Sequence, residues 1–183
     1  MRKHRSVFSL LLCTMLVLPA YLQAQVMQVS LQEMIQASGM IFAGTVVEVK
    51  AGKDERGDIA TWTTFRVETP VRGVVPGTVT IKQFGGTSDE GSMVLAHMRY
   101  FNQGERVLLM LYPPSELGFT SPIGMGQGVW SVNDNGMIAG VTGELLGTMS
   151  TLAAQHGVVP DAAGHVPMTN MVALIEAATK GGK

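Results

Sequence analysis

Polar and apolar residues alternate most cleanly over residues 60–69, Ala-Thr-Trp-Thr-Thr-Phe-Arg-Val-Glu-Thr. A period of two puts Phe65 and Val67 on one face with Thr61, Thr63 and Thr69. Trp62, Thr64, Arg66 and Glu68 fall on the other, which predicts an antiparallel strand ended by Pro70. Upstream, Met40 to Lys50 begins as a continuous apolar run and ends in alternation. That predicts a strand covered on both faces at first and on one face later. Gly44 inside it predicts a bulge or bend. Thr78–Phe84 and Arg106–Tyr112 read as two more strands, the second the most apolar of all. Val129–Val132 and Met137–Val141 flank Asn133-Asp134-Asn135-Gly136, and Asn-Gly between apolar runs predicts a hairpin.

Two segments change to a helical period. Ser30-Leu31-Gln32-Glu33 has the Ser-x-x-Glu form of a capping box, with Leu31, Met34 and Ile35 on one face. This predicts a helix over about 31–38, closed by a left-handed Gly39. Near the end, Met171, Leu174, Ile175 and Ala178 are spaced i, i+3, i+4 and i+7. They predict a final helix capped by Thr169 or Asn170. Residues 51–59, 85–104 and 113–128 read as long loops. Met93-Val94-Leu95 in the second of them is apolar enough to lie on the core. Residues 142–166 carry no clear period. The sum is a mainly β domain: a small closed antiparallel barrel, OB-like, of five to six strands, with a short N-terminal helix and a C-terminal helix. Closure is expected because it removes exposed strand edges.

A different pattern precedes this domain. Arg2, Lys3, His4 and Arg5 form a basic start, a 12-residue apolar run spans Val7 to Leu18, and Pro19 and Leu22-Gln23-Ala24 follow. This is the layout of a cleavable signal peptide. The run falls short of the roughly 20 residues that span a bilayer. The expected organisation is a signal peptide over 1–24 and one β-barrel domain with a helical tail over 25–183, exported to the periplasm or beyond, with no membrane span after cleavage. Cys13 follows Leu12 inside the apolar run, reads as a hydrophobic filler, and is the only cysteine. The domain over 25–183 therefore holds no disulfide.

Composition narrows the function. Without the first 24 residues, 10 Lys and Arg stand against 14 Asp and Glu. A mildly acidic domain with scattered positive charge is a poor fit to nucleic acid. All 22 glycines lie in this domain, which suits many turns and bulges. The 11 methionines of residues 25–183 read as core gap-fillers. Gly-x-Ser-x-Gly, His-Glu-x-x-His, the P-loop and the dinucleotide fingerprint are all absent from the sequence. His97, His156 and His165 lack metal-site spacing. Asp54, Glu55 and Asp58 share a loop but not the EF-hand pattern. No cofactor, metal or catalytic residue is assigned.

The order of elements carries a resemblance. Ile41-Phe42-Ala43-Gly44-Thr45-Val46-Val47 follows the capped helix, then Thr63-Thr64-Phe65-Arg66-Val67 and Val71-Arg72-Gly73. Phe101-x-x-Gly104-Glu105-Arg106-Val107-Leu108-Leu109 and Gly126-Gln127-Gly128-Val129-Trp130-Ser131-Val132 complete it. Over roughly residues 31–132 the chain resembles a group of small exported bacterial proteins whose pattern is similar to the netrin-like, metalloproteinase-inhibitor type of OB barrel. The resemblance implies the barrel and no inhibitory residue, since inhibitors of that type chelate zinc through an N-terminal cysteine.

Two functions from different classes follow. The first is a monomeric, non-catalytic binding module that docks on a secreted or envelope protein, a peptidase being one such partner. Its contact patch combines Trp62, Arg72 and Arg106 with the loop Gly126, Gln127 and Gly128. The second is a hydrolase of unrecognised type that uses Asp89, Glu90, His97 and Glu105 as acid–base groups.

Overall fold

A computed structural model describes residues 27–181; the signal peptide expected over 1–24 lies outside the described residues. The capping box forms as the sequence implies. The Glu33 N–H donates to Ser30 Oγ at 3.3 Å, and the Ser30 N–H donates to Glu33 Oε2 at 2.9 Å. This starts α1 (Leu31–Ala37). The helix ends on an extended Ser38, not on a left-handed Gly39, with Ser38 Oγ bonded to the Met34 carbonyl.

Five strands follow as one antiparallel sheet in the order β3-β2-β1-β6-β7. They are β1 (Met40–Lys53), β2 (Ile59–Arg72), β3 (Gly77–Phe84), β6 (Arg106–Leu111) and β7 (Val129–Ser131). Two three-residue strands, β4 (Gly86–Ser88) and β5 (Gly91–Met93), make a separate hairpin. The predicted 51–59 loop is shorter than expected, because β1 and β2 continue pairing out to Lys53↔Ile59. Pro70 does not end β2. It sits opposite Phe42 beside a register shift, beyond the last β3 partner at Val67, where a missing N–H breaks no second ladder.

The sheet does not close into a barrel. β3 and β7 are its two edges and do not pair. The sequence shows why. β1 and β6 send alternate residues to two different cores. Ile41, Ala43, Leu108 and Met110 join one buried cluster, whereas Phe42, Val46, Val107 and Leu109 join another. A closed barrel has one dry interior and a solvated outside; these strands need both faces covered. One face carries a helical layer. The other holds Phe42, Phe65 and Phe101 in edge-to-face contact at 5.4 and 5.2 Å. The bend expected at Gly44 is real: the β1–β2 register shifts there. A Cβ on Gly44 would lie 2.5 Å from the Arg66 carbonyl oxygen.

The Asn133–Gly136 turn forms, but its flanks do not pair with each other. β7 pairs with β6, and β8 (Met137–Ile138) pairs with β9 (Val166–Pro167). The stretch without a clear period folds as α2 (Gly143–Leu146), a 3-10 turn (Gly147–Met149) and α3 (Ser150–Gln155). The last helix, α4 (Met168–Gly181), starts two or three residues earlier than a cap at Thr169 or Asn170 implies. Asn170 does not cap it; its side-chain amide donates to the Gly157 carbonyl at 2.9 Å. Met93 and Val94 are exposed rather than on the core. Among the described residues no helix is long and apolar enough to cross a membrane.

Candidate functional site

Where α1, the 3-10/α3 segment and the last turn of α4 meet, a groove of about 540 Å³ opens. α1 contributes Gln32, Ile35 and Gln36, which its i, i+3, i+4 spacing puts on one face. Thr148, Met149 and Leu152 form the second wall, and Ala177, Ala178 and Thr179 the third. The floor, Ile35, Met149, Leu152 and Ala178, is apolar. The rim is polar, and Thr148 Oγ1 donates to Gln32 Oε1 at 2.7 Å across it.

Arg72, at the end of β2, brings a charge into this groove. Its Nη1 donates to the carbonyls of Ile35 and Ser38, and its Nη2 to Thr179 Oγ1 at 3.3 Å. The guanidinium thus ties the end of α1 to the end of α4. A guanidinium has five N–H donors, so Nε–H and one Nη2 hydrogen remain without a partner among the described residues. Among the described residues no carboxylate oxygen lies within 4.0 Å of Arg72, whereas Lys82, Arg99 and Arg106 each hold one. Arg72 is half-buried; the other lysines and arginines without an acidic partner among the described residues, Lys53, Arg56 and Arg66, are exposed.

The remaining residues of the sequence-derived patch lie elsewhere. Trp62 is half-buried on β2 between Lys50 and Lys82, ten residues from Arg72, or roughly 33 Å along an extended strand. Arg106 donates from Nε to Glu68 Oε2 at 2.8 Å, and Thr45 Oγ1 donates to Glu68 Oε1 at 2.7 Å. Burial acts to raise the Glu68 carboxyl, but the Thr45 hydroxyl and the Arg106 guanidinium outweigh it and hold the group below its ordinary value. Arg106 lines a second, polar cleft of about 510 Å³ with Glu105 and Ser131. Gln127 faces the segment before α1: its amide accepts from Val29 N–H at 2.9 Å and donates to the Met27 carbonyl at 3.1 Å, clamping that segment. A Cβ on Gly128 would lie 3.0 Å from the Met110 carbonyl oxygen, so that glycine serves the packing of β6. Gly126 follows the left-handed Met125 in the same loop. Of the six residues, only Arg72 reaches the groove.

The acid–base candidates are not gathered either. Glu90 accepts from Lys53 N–H at the β1–β2 turn. Glu105 pairs with Arg99 and accepts from Asn102 N–H at 3.0 Å. His97 is exposed in a left-handed backbone conformation. No hydrogen bond or ion pair joins any two of Asp89, Glu90, His97 and Glu105. Among the described residues no group of three or more His, Cys, Asp or Glu is placed to hold a metal. His165 instead faces Asp161 at 3.1 Å.

Sequence reasoning named Arg72 but not its setting. Gln32, Gln36 and Ile35 share a helical face that the i, i+3, i+4 rule exposes. Nothing local indicates that Thr148 and Thr179, more than 100 residues away, complete the groove. No protein-family model, curated protein or solved structure matches this chain.

Proposed function

We propose that the chain is exported and acts as a non-catalytic binding module, seating an apolar, carboxylate-bearing segment of a secreted or envelope protein in the groove between α1 and α4. The observation that carries this reading is Arg72: half-buried, without an acidic partner, at the edge of an apolar floor. A cation in that position attracts a carboxylate. Its Nε–H and the remaining Nη2 hydrogen are left to donate to one, and charge-assisted bonds of this kind are the strong ones. Apolar pockets with a few convergent polar groups are the usual form of a binding site. The basic-apolar-small order of residues 1–24 supports export. The hydrolase alternative has no comparable support, since no hydrogen bond or ion pair joins its four candidate groups.

The test uses isotope-labelled protein and two short leucine-rich peptides that differ only at the end, a free carboxylate against an amide. The free acid is expected to shift the amide signals of Ile35, Leu152 and Ala178, and the amidated peptide to shift them far less. Ala178→Trp, which fills the groove without touching the Arg72 bonds, should abolish the response. Equal responses to acid and amide, or shifts that Ala178→Trp leaves unchanged, would sink this reading.

A further inference from the structure

β3 is one edge of the main sheet. Its far end is covered: Lys82 bridges Phe119, and the Thr120 N–H donates to the Lys82 carbonyl at 2.8 Å. Among the described residues, nothing bonds in this way to residues 77–81, Gly-Thr-Val-Thr-Ile. They carry no charge, and Pro76 precedes them rather than interrupting them. Natural edge strands are commonly guarded by charge, proline, a bulge or a covering loop. The β2–β3 register runs from Val67↔Gly77 to Ala60↔Phe84 without a shift, so no bulge twists this edge away.

The direction of the free groups follows from the one bond that is present. The Lys82 carbonyl points outward, to Thr120. Backbone groups along a strand alternate sides, so the N–H and C=O of Thr80 and Thr78 also point outward, while those of Val79 and Ile81 point to β2. Among the described residues no backbone partner is present for Thr78 or Thr80 on that side. Thr78 and Thr80 flank Val79 symmetrically, which makes residues 78–80 a palindrome.

We infer that β3 pairs with the β3 of a second copy of this chain, antiparallel, with the two-fold axis through Val79. This goes beyond the groove and does not depend on it. Thr78 then lies opposite the second copy's Thr80, and Thr80 opposite the second copy's Thr78. Each such pair exchanges both of its N–H···O bonds, which satisfies every free backbone group between residues 78 and 80. The pairing stops before Lys82, where the Phe119–Thr120 loop already occupies the edge. An axis through Thr80 would place Thr78 opposite the covered Lys82 and lose those bonds. The side chains fit as well. Thr64 and Thr80 hydroxyls already bond across β2–β3 at 2.8 Å, and the second copy continues the same threonine row. Threonine pairs and self-complementary patches suit an isologous interface. Val75, 75 % exposed in the turn beside this edge, and Val74 and Val79 line a groove of about 470 Å³ that flanks the seam and is covered with it.

The experiment is sedimentation velocity of the purified protein from low to high micromolar concentration, alongside amide hydrogen exchange. A species of twice the chain mass should grow with concentration, and the Thr78 and Thr80 amides should gain protection in parallel. Thr78→Lys with Thr80→Lys places like charges opposite each other and should weaken dimerisation on the order of tenfold or more. Thr78→Lys with Thr80→Glu places opposite charges across the same seam and should restore it. Thermal unfolding of each variant separates a lost interface from a lost fold, and the exchange measurement on the unaltered chain needs no variant at all. A monomer at every concentration overturns the inference. So does a dimer that Thr78→Lys/Thr80→Lys leaves unchanged, or protection of Thr78 and Thr80 that appears only when a different protein is added.

Discussion

Asp54 and Lys82 are 28 positions apart, and their side chains meet at 2.7 Å with the Asp54 side chain only 4 % exposed. Lys82 Nζ also lies 4.0 Å from the Phe119 ring centre and 5.9 Å from that of Trp62. One ammonium thereby links the β1–β2 turn, β3 and the 113–122 loop. The Lys82 bond holds the Asp54 carboxyl below its ordinary value of 3.8 against desolvation, with help from the N–H groups of Arg56 and Asp58. A carboxyl whose pKa is depressed by folding contributes stability above its unfolded value, and that contribution fades as pH falls through the folded one. Asp54→Asn keeps the backbone-accepting oxygen and removes the charge. Its melting temperature is expected to lie below that of the unaltered protein at about pH 6, with the gap closing as pH drops below about 3.8. A gap independent of pH would show that the charge is not what matters. In sequence, Asp54 reads as one of several acids on a solvated loop tip. Its real partner is invisible there, because nothing in local spacing connects position 54 to position 82.

Elements start and bend where the residues dictate, and two substitutions test this. Ser30→Ala removes the acceptor that starts α1; capping losses are typically about 1 kcal/mol, or about 2–4 °C in melting temperature for a domain of this length. Gly44→Ala forces a Cβ against the Arg66 carbonyl and should cost about 1–3 kcal/mol, the range for overpacked sites. Calorimetry on both variants checks the order: the bulge should matter at least as much as the cap. A Gly44→Ala protein as stable as the unaltered one would mean that β1 can straighten, and that the register shift is not required. Both features were legible in the sequence. The fate of the Asn133–Gly136 hairpin was not. The turn residues satisfy their own bonds, with Asn133 N–H and the Met137 carbonyl 3.0 Å apart. Pairing beyond the turn went to β6 and β9 because those strands bury Trp130 and Ile138 in the shared core.

At the scale of the whole fold, two apolar clusters of the described residues share one sheet. Leu108 and Leu109 are adjacent on β6, both fully buried, and belong to different clusters. Leu108→Ala and Leu109→Ala should each cost about 2–5 kcal/mol. Because β6 and β1 are common to both clusters, each variant should still unfold in one transition seen identically by far-ultraviolet dichroism and by tryptophan fluorescence. Separate transitions would mean that the helical layer and the aromatic face are independent folding units.

The sequence by itself determined the main amphipathic elements, the bulge at Gly44, the capping box at Ser30 and the signal-like order of residues 1–24. All of these depend on neighbours within about one turn or one strand, which is the range over which side-chain period and backbone preference act. Tertiary structure alone decided that the sheet stays open, that Arg72 sits by an apolar groove while Trp62 and Arg106 lie elsewhere, and that Gln127 clamps the chain before α1. These depend on which distant residues bury one another. The double-sided burial of β1 and β6 left its trace in their unbroken apolar runs, but most of the helical layer that joins α1 in covering one side comes from the last third of the chain, and no local pattern states where it will pack.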